Sequence, residues 1–211
     1  MSLKISTAAE FLETAFDALN TRFFENALSK PVITIQSTPN AYGHCSVNEI
    51  WKEEGGEARR EINLGAETLN RPVENTLATL VHEMVHLYNM QKGVQDCSRG
   101  NTYHNRKFKE EAEKRGLIIE FDKRIGWSLT TPAPVLIDFI KEYGWEKLDM
   151  FRDYNGWKGS AGKKPSSTRK YTCPVCGQSI RATKEVNVIC GDCLVKMVTE
   201  DDAGDDETDA A

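Results

Sequence analysis

The stretch LVHEMVHLYN, residues 80–89, sets two histidines and a glutamate among apolar side chains. Residues four apart on an α-helix share a face, with Cβ atoms about 5–6 Å apart, so His82 and His86 can turn their rings toward one common atom. Glu83 lies beside that face. This HExxH spacing suits a zinc ion held by the two imidazoles, with Glu83 as general base on a water at the metal. A five-residue pattern with three fixed positions also arises by chance, and paired histidines occur as hydrogen-bonded core residues. Two observations weigh against that. Leu77, Leu80, Val81, Met84, Val85 and Leu87 make the helix apolar enough to be buried, where three polar side chains are costly unless they share a partner. The chain also has only four histidines, His44, His82, His86 and His104.

A catalytic zinc site takes three protein ligands and keeps one position open. His104 is the natural third ligand. A histidine six residues after His86 would extend the motif differently, but that position is Lys92, and Glu110 or Glu111 are carboxylate alternatives on a polar helix. Tyr88, Tyr103 and His44 are candidate donors to a developing oxyanion, each also explicable as structural. A second cluster comes from YTCPVCGQ and VICGDCLV, where Cys173 and Cys176 are followed after thirteen residues by Cys190 and Cys193. Each CxxC forms a knuckle whose thiolates face one ion, and two knuckles make a tetrahedral structural zinc site in a zinc ribbon. A redox role for CxxC would need a thioredoxin-like βαβ context, which is absent. Cys45 and Cys97 have no partner at such spacing and are read as free thiols.

The elements that must position these groups are legible in part. Phe11, Leu12, Ala15, Phe16, Leu19, Phe23 and Phe24 recur at helical spacing, which predicts an amphipathic helix over 7–24 with Ser6 or Thr7 as N-cap. VITIQS, AYGHCSVNEIW and ARREINLG read as three short strands. The HExxH helix is expected from about Pro72 to between Met90 and Gly93, and a further helix over 105–115, with Phe108 and Ala112 on one face and Gly116 as its stop. Together these predict an α+β domain.

The 211 residues leave room for one domain and a small module. No signal-peptide core or membrane-length apolar run is visible, and the CxxC pairs favour metal over disulfides, so an intracellular, cytoplasmic setting is expected. The net charge of −5 is uneven: the tail from Thr199 holds seven acidic residues and no basic ones, which leaves residues 1–198 with 27 basic and 25 acidic side chains. Residues 158–184 hold seven Lys or Arg and no Asp or Glu. Such a run is often a solvated linker. It also suits a phosphate backbone, with Lys163, Lys164, Arg169, Lys170, Arg181 and Lys184 as contacts and Trp157 and Tyr171 as stacking rings.

HEMVHLYN followed by GNTYHNRKFKEEAEKRG resembles the SprT-like zinc metallopeptidases, which include the Spartan-like proteases. The shared positions are His82, Glu83, Met84, His86, His104, Phe108 and Gly116. The resemblance implies a zincin-like metallopeptidase domain over 5–157 and a four-cysteine zinc ribbon over 171–198, while composition marks a basic linker over 158–170 and a disordered acidic tail over 199–211. It implies that His82, His86 and His104 are the catalytic zinc ligands and Glu83 the base, with one structural zinc besides. It also raises protein substrates on DNA, single-stranded DNA above all, as partners. The competing expectation is a nucleic-acid-binding adaptor whose HExxH zinc is structural.

Overall fold

The computed structural model describes residues 4–38, 40–153 and 168–199. The chain divides into two units, Met1–Tyr154 and Asn155–Ala211. Residues 158–167 of the expected linker, with Lys163 and Lys164, and residues 200–211 of the acidic tail lie outside the described residues, as does Trp157. The described residues form an α+β protein of four α-helices and three small sheets.

The first helix, α1, spans Ile5–Phe24 and buries Ala8, Leu12, Ala15, Phe16, Leu19 and Phe23, a stripe at helical spacing. It starts two residues earlier than its sequence pattern suggests. Lys4, not Ser6 or Thr7, stands at the N-cap, and its carbonyl accepts the N–H groups of Thr7 and Ala8. The three expected strands are present as β1 (Val32–Gln36), β2 (Gly43–Cys45) and β3 (Glu61–Gly65), with β3 central, parallel to β1 and antiparallel to β2. Every residue of β3 is buried. Asn63 within it is tolerated because its amide is fully engaged: Oδ1 accepts from Thr34 Oγ1 and Gln36 N, and Nδ2 donates to Thr38 Oγ1 and the Gln36 carbonyl.

Helix α2, Val73–Gln91, follows Pro72, whose fixed φ and missing N–H suit a helix start. It is buried on nearly every side and packs on β2, β3, α1 and the elements that follow. A second sheet, in the order β4 (Cys97–Ser98), β5 (Tyr103–His104), β7 (Gly126–Pro132) and β6 (Leu117–Asp122), closes over it from the other side. Helix α3 (Arg106–Lys114) leaves β5 after Asn105, whose Oδ1 caps the N–H groups of Lys107 and Phe108. Helix α4 (Pro134–Glu142) packs against α2. Leu12, Phe16, Phe24, Leu77, Leu80, Met84, Phe108, Leu136 and Ile140 are fully buried in one core joining the four helices, each contributing about 1.5–3 kcal/mol of transfer free energy.

In the second unit β8 (Arg169–Thr172) lies between β9 (Ser179–Ala182) and β10 (Val198–Thr199), all antiparallel, so the tail expected from Thr199 contributes Thr199 to a strand. Among its described residues Tyr171, Cys173, Cys190 and Met197 form the buried cluster, little apolar surface to hold a fold without help. No helix among the described residues is long and apolar enough to cross a membrane.

Candidate metal centre

His82 and His86 come from α2 and His104 from β5, a strand and not a helix, anchored by its register pairs with Cys97 in β4 and Gly126 in β7. The three Nε2 atoms lie 3.2 Å (His82 to His104), 3.3 Å (His82 to His86) and 3.1 Å (His86 to His104) apart. Nitrogens about 2.0–2.1 Å from a shared tetrahedral metal would be about 3.3–3.4 Å apart, so the spacing fits one zinc ion.

The opposite edge of each ring explains the convergence. His86 Nδ1 donates to Asp96 Oδ2 at 2.8 Å. His82 Nδ1 meets Thr130 Oγ1 at 2.8 Å, and because that hydroxyl donates to the Ser128 carbonyl at 3.0 Å, its oxygen is the acceptor. His104 Nδ1 points at the Ile125 carbonyl, 3.4 Å away. With every Nδ1 a donor, every Nε2 of a neutral imidazole is a lone pair. Three lone pairs this close repel one another until a cation shares them, so the donor set fits a metal. Burial holds His82 well below the usual histidine range, helped by the charges of His86 and His104. Burial first and His86 second bring His104 down to about 4. At His86 burial also opposes protonation, but the Asp96 hydrogen bond and the Glu83 charge outweigh it and raise the group.

Phe108 of α3 is the floor of this cluster. Its fully buried ring lies 4.5 Å from the His82 centroid, 4.6 Å from His86 and 4.7 Å from His104, stacked on His86 and tilted or edge-on to the others. An aromatic wall against all three imidazoles restricts their rotation and keeps water from beneath.

Glu83 follows His82 on α2 and is 5 % exposed. Burial pushes its carboxyl up to about 7, against the pull of His86 and of the Cys45 backbone N–H. A carboxylate poised near neutrality beside the imidazoles has the protonation behaviour of a general base. Strand β2 passes directly over it at Gly43, where an added Cβ would come 2.8 Å from the Asn63 carbonyl oxygen and 3.3 Å from Glu83 Oε1. Gly126 plays a similar part for the third histidine: its φ is +76°, and a Cβ there would lie 2.2 Å from the His104 carbonyl oxygen.

The other sequence candidates fall elsewhere. Glu111 is tied to Arg115 and Lys114, and Glu110 is exposed on α3. Tyr88 packs on Phe24 beneath the Arg115 guanidinium, and His44 on β2 lies 3.4 Å from Glu61. Cys45 and Cys97 are free thiols whose acidity burial suppresses, Cys97 up to about 12.

In the second unit the four Sγ atoms of Cys173, Cys176, Cys190 and Cys193 gather within 4.8 Å of one another. Cys176 and Cys190 are 3.7 Å apart, close to the roughly 3.8 Å that a tetrahedral zinc with sulfur ligands at about 2.3 Å requires. Each knuckle is closed by its backbone: Gly177 N donates to the Cys173 carbonyl, and Leu194 N to that of Cys190. Lys170 and Arg181 are cross-strand partners and share one face, whereas Arg169, one residue earlier, points to the other face, and Lys184 follows β9 on the exposed surface. Tyr171 is not a stacking platform. It is buried beside Cys173, and its hydroxyl oxygen accepts the Val186 N–H at 3.1 Å.

Sequence reasoning missed Asp96, Thr130 and the glycines Gly43 and Gly126, because each acts through a neighbour far along the chain. A glycine ahead of the alternating run WSLTT is the one local hint, for Gly126.

A family model described as the SprT-like family matches residues 12–121, from within α1 to within β6. No curated protein and no solved structure matches the chain. The matched segment covers more than half of the 211 residues and includes Glu83 and all three histidines, and the chain therefore belongs to the SprT-like family.

Proposed function

We propose that this protein is a zinc-dependent endopeptidase of zincin-like architecture that acts on proteins bound to DNA. The observation that carries the proposal is the meeting of three Nε2 lone pairs within 3.3 Å, one residue from a buried carboxyl poised at about 7. Zinc, when bound by His82, His86 and His104, supplies the positive charge that polarises a scissile carbonyl and acidifies water. The rest falls to the protein's own groups. Glu83 takes a proton from the attacking water and later delivers it to the leaving amide nitrogen. Asp96, Thr130 and the Ile125 carbonyl keep the three imidazoles in the tautomer and orientation that ligation needs, and Phe108 shields them from below.

Cys173, Cys176, Cys190 and Cys193 hold a second, structural zinc that supplies the folding free energy their small unit lacks. Lys170 and Arg181 on its surface are suited to a phosphate backbone. That pair also supports a second reading, a nucleic-acid-binding adaptor whose HExxH zinc is structural.

The deciding experiment is cleavage of a DNA-binding protein by zinc-loaded wild type and Glu83→Gln, each with and without single-stranded DNA. Cleavage by wild type alone, stimulated by DNA, is the expected result. Equal rates in the two proteins would remove Glu83 from the mechanism, and no cleavage in any arm would leave the adaptor.

A further inference from the structure

Arg71, just ahead of α2, is a half-buried cation without a counter-ion. Its Nε donates to the Thr68 carbonyl at 3.0 Å and its Nη2 to Thr79 Oγ1 at 2.9 Å, and the Tyr42 ring centroid lies 4.0 Å from the guanidinium carbon. Among the described residues these are the partners of the guanidinium, and none of them is an acid. Glu67, on the adjacent 3-10 turn Ala66–Thr68, is held by the Ser37 hydroxyl. Burial lowers the pKa of the guanidinium from its ordinary value, yet arginine stays charged at neutral pH. Of its five N–H groups two are spent on these bonds, which leaves both on Nη1 and one on Nη2. A charged fork fixed by two bonds and a ring, with donors left over, is suited to the two oxygens of a carboxylate.

This fork stands beside the general base. The Thr79 hydroxyl gives its proton to the Asn75 carbonyl at 3.1 Å, so its oxygen is the acceptor for Arg71. Thr79 precedes His82 by three residues and Glu83 by four, which puts it on the neighbouring turn of the same helix face. Strand β2 crosses both: a Cβ added at Gly43 would lie 3.1 Å from Thr79 Cγ2 and 3.3 Å from Glu83 Oε1. Tyr42, next in the chain to that glycine, is 57 % exposed, and its carbonyl accepts the Gly65 N–H at 2.7 Å, which ties it to β3. Tyr42, Arg71 and Thr79 thus make one group, a helical turn beyond Glu83 on the side away from His86.

Because Glu83 delivers its proton to the leaving nitrogen, it must lie against the residue that carries that nitrogen. A group beyond Glu83 along α2 therefore meets that residue's side chain. We infer that Arg71, framed by Tyr42 and Thr79, is a specificity-determining residue that takes the carboxylate of an aspartate or glutamate immediately after the cut bond. This rests on the proposed peptidase reading, although the binding is measurable without cleavage. No other Lys or Arg occurs in residues 66–91, so the site offers one positive charge to one carboxylate and not a row of cations to a polyanion.

The test uses short peptides that differ at one central position, glutamate, glutamine or lysine. Full-length, zinc-loaded wild type is expected to cut before the glutamate, with kcat/KM about tenfold or more above that for the glutamine peptide. Arg71→Gln should abolish the difference. Arg71→Glu should turn the preference toward the lysine peptide, a gain that loss of fold cannot imitate. Arg71→Lys should keep part of the preference, since the charge remains and the fork is lost. The preference of wild type should persist at about 0.5 M salt, because a partly buried pair is screened less than an exposed one. Binding is read separately, by fluorescence anisotropy of the labelled glutamate and glutamine peptides on zinc-loaded Glu83→Gln protein, with and without Arg71→Gln. Zinc content and thermal unfolding establish that each variant is folded.

The inference is overturned if neither peptide binds, or if the glutamate and glutamine peptides bind and react equally. It is also overturned if Arg71→Gln lowers both rates alike, which would make Arg71 a tie between Thr68 and Thr79 and nothing more, or if the glutamate preference survives that substitution. Glutamate-dependent binding that needs Arg71, without cleavage, would retain the subsite while losing the peptidase proposal.

Discussion

Asp96 and His86 are joined through one carboxylate oxygen: Asp96 Oδ2 accepts the His86 Nδ1–H at 2.8 Å and an Asn89 Nδ2–H at 3.0 Å. The carboxylate is 6 % exposed, and its backbone carbonyl accepts the N–H of Asn105, at the cap of α3. One residue thus ties α2 to the segment that delivers His104.

Asp96→Ala is therefore expected to raise the zinc dissociation constant of the histidine site by about 10–100-fold, read by chelator competition, while the four-cysteine site keeps its metal. An unchanged affinity would mean that packing against Phe108 alone orients the His86 ring.

Phe108→Ala removes a fully buried ring that touches all three imidazoles. The expected loss is about 3–5 kcal/mol of stability by denaturant unfolding, together with weaker zinc binding. Phe108→Leu should recover part of the stability. If zinc affinity is untouched in the leucine variant, the ring supports the fold but not the ligand geometry.

Gly126→Ala places a Cβ 2.2 Å from the His104 carbonyl oxygen at a φ of +76°. Relief requires β5 and β7 to part at their one register pair, His104 with Gly126. A loss of at least about 1–3 kcal/mol in unfolding free energy is expected, with a larger effect on zinc binding at the histidine site than at the ribbon. Wild-type stability in this variant would show that the strands separate freely.

Asp122 gives a pH signature. Its Oδ1 accepts the N–H groups of Arg124 and Ile125 at 2.7 and 3.0 Å, and these bonds hold the carboxyl below its ordinary value of 3.8. Because the folded value is the lower one, the stabilisation is complete above about 3.8 and is lost as pH falls through the folded value. The gap in Tm between wild type and Asp122→Ala should therefore be constant at neutral pH and close on acidification below that point. Parallel Tm curves down to the lowest pH would exclude the carboxylate as the cause.

Metal removal should separate two classes of thiol. With chelator present, Cys173, Cys176, Cys190 and Cys193 lose any ion they share, and Cys173, which the backbone N–H of Cys176 brings down to about 7, becomes open to alkylation at neutral pH. Cys97, buried and raised to about 12, and Cys45, raised further, stay as unreactive neutral thiols. Mass spectrometry after iodoacetamide should find Cys173 modified first. Early modification of Cys97 would indicate that emptying the histidine site opens the first unit.

Much of this protein is legible because its information is local. The apolar stripe of α1, the HExxH turn of α2 and the two CxxC knuckles each lie within a few residues of chain, where helical period or turn geometry alone sets which side chains meet. The three strands β1 to β3 follow from their short β-branched or alternating runs. Helix α1 begins at Ile5 and not at the expected Ser6 or Thr7 cap, because the Lys4 carbonyl already accepts the Thr7 and Ala8 N–H groups. The second sheet and α4 carry no comparable signal. Strands β4 and β5 are two residues each, too short to show a period; they pair with each other, and β5 is held in the sheet by β7, more than twenty residues on.

His82, His86, Glu83 and the four cysteines could thus be named from spacing, and His104 from its place in a longer motif. That His104 reaches the other two from a strand, that Asp96, Thr130 and Ile125 set all three tautomers, that Phe108 closes the site from below and that Tyr171 is buried were decided by tertiary structure. The hydrogen bonds that set the tautomers join residues 10 to 48 positions apart. Contacts at that separation form only when the whole chain packs, and a local pattern carries no record of which of the many distant partners wins.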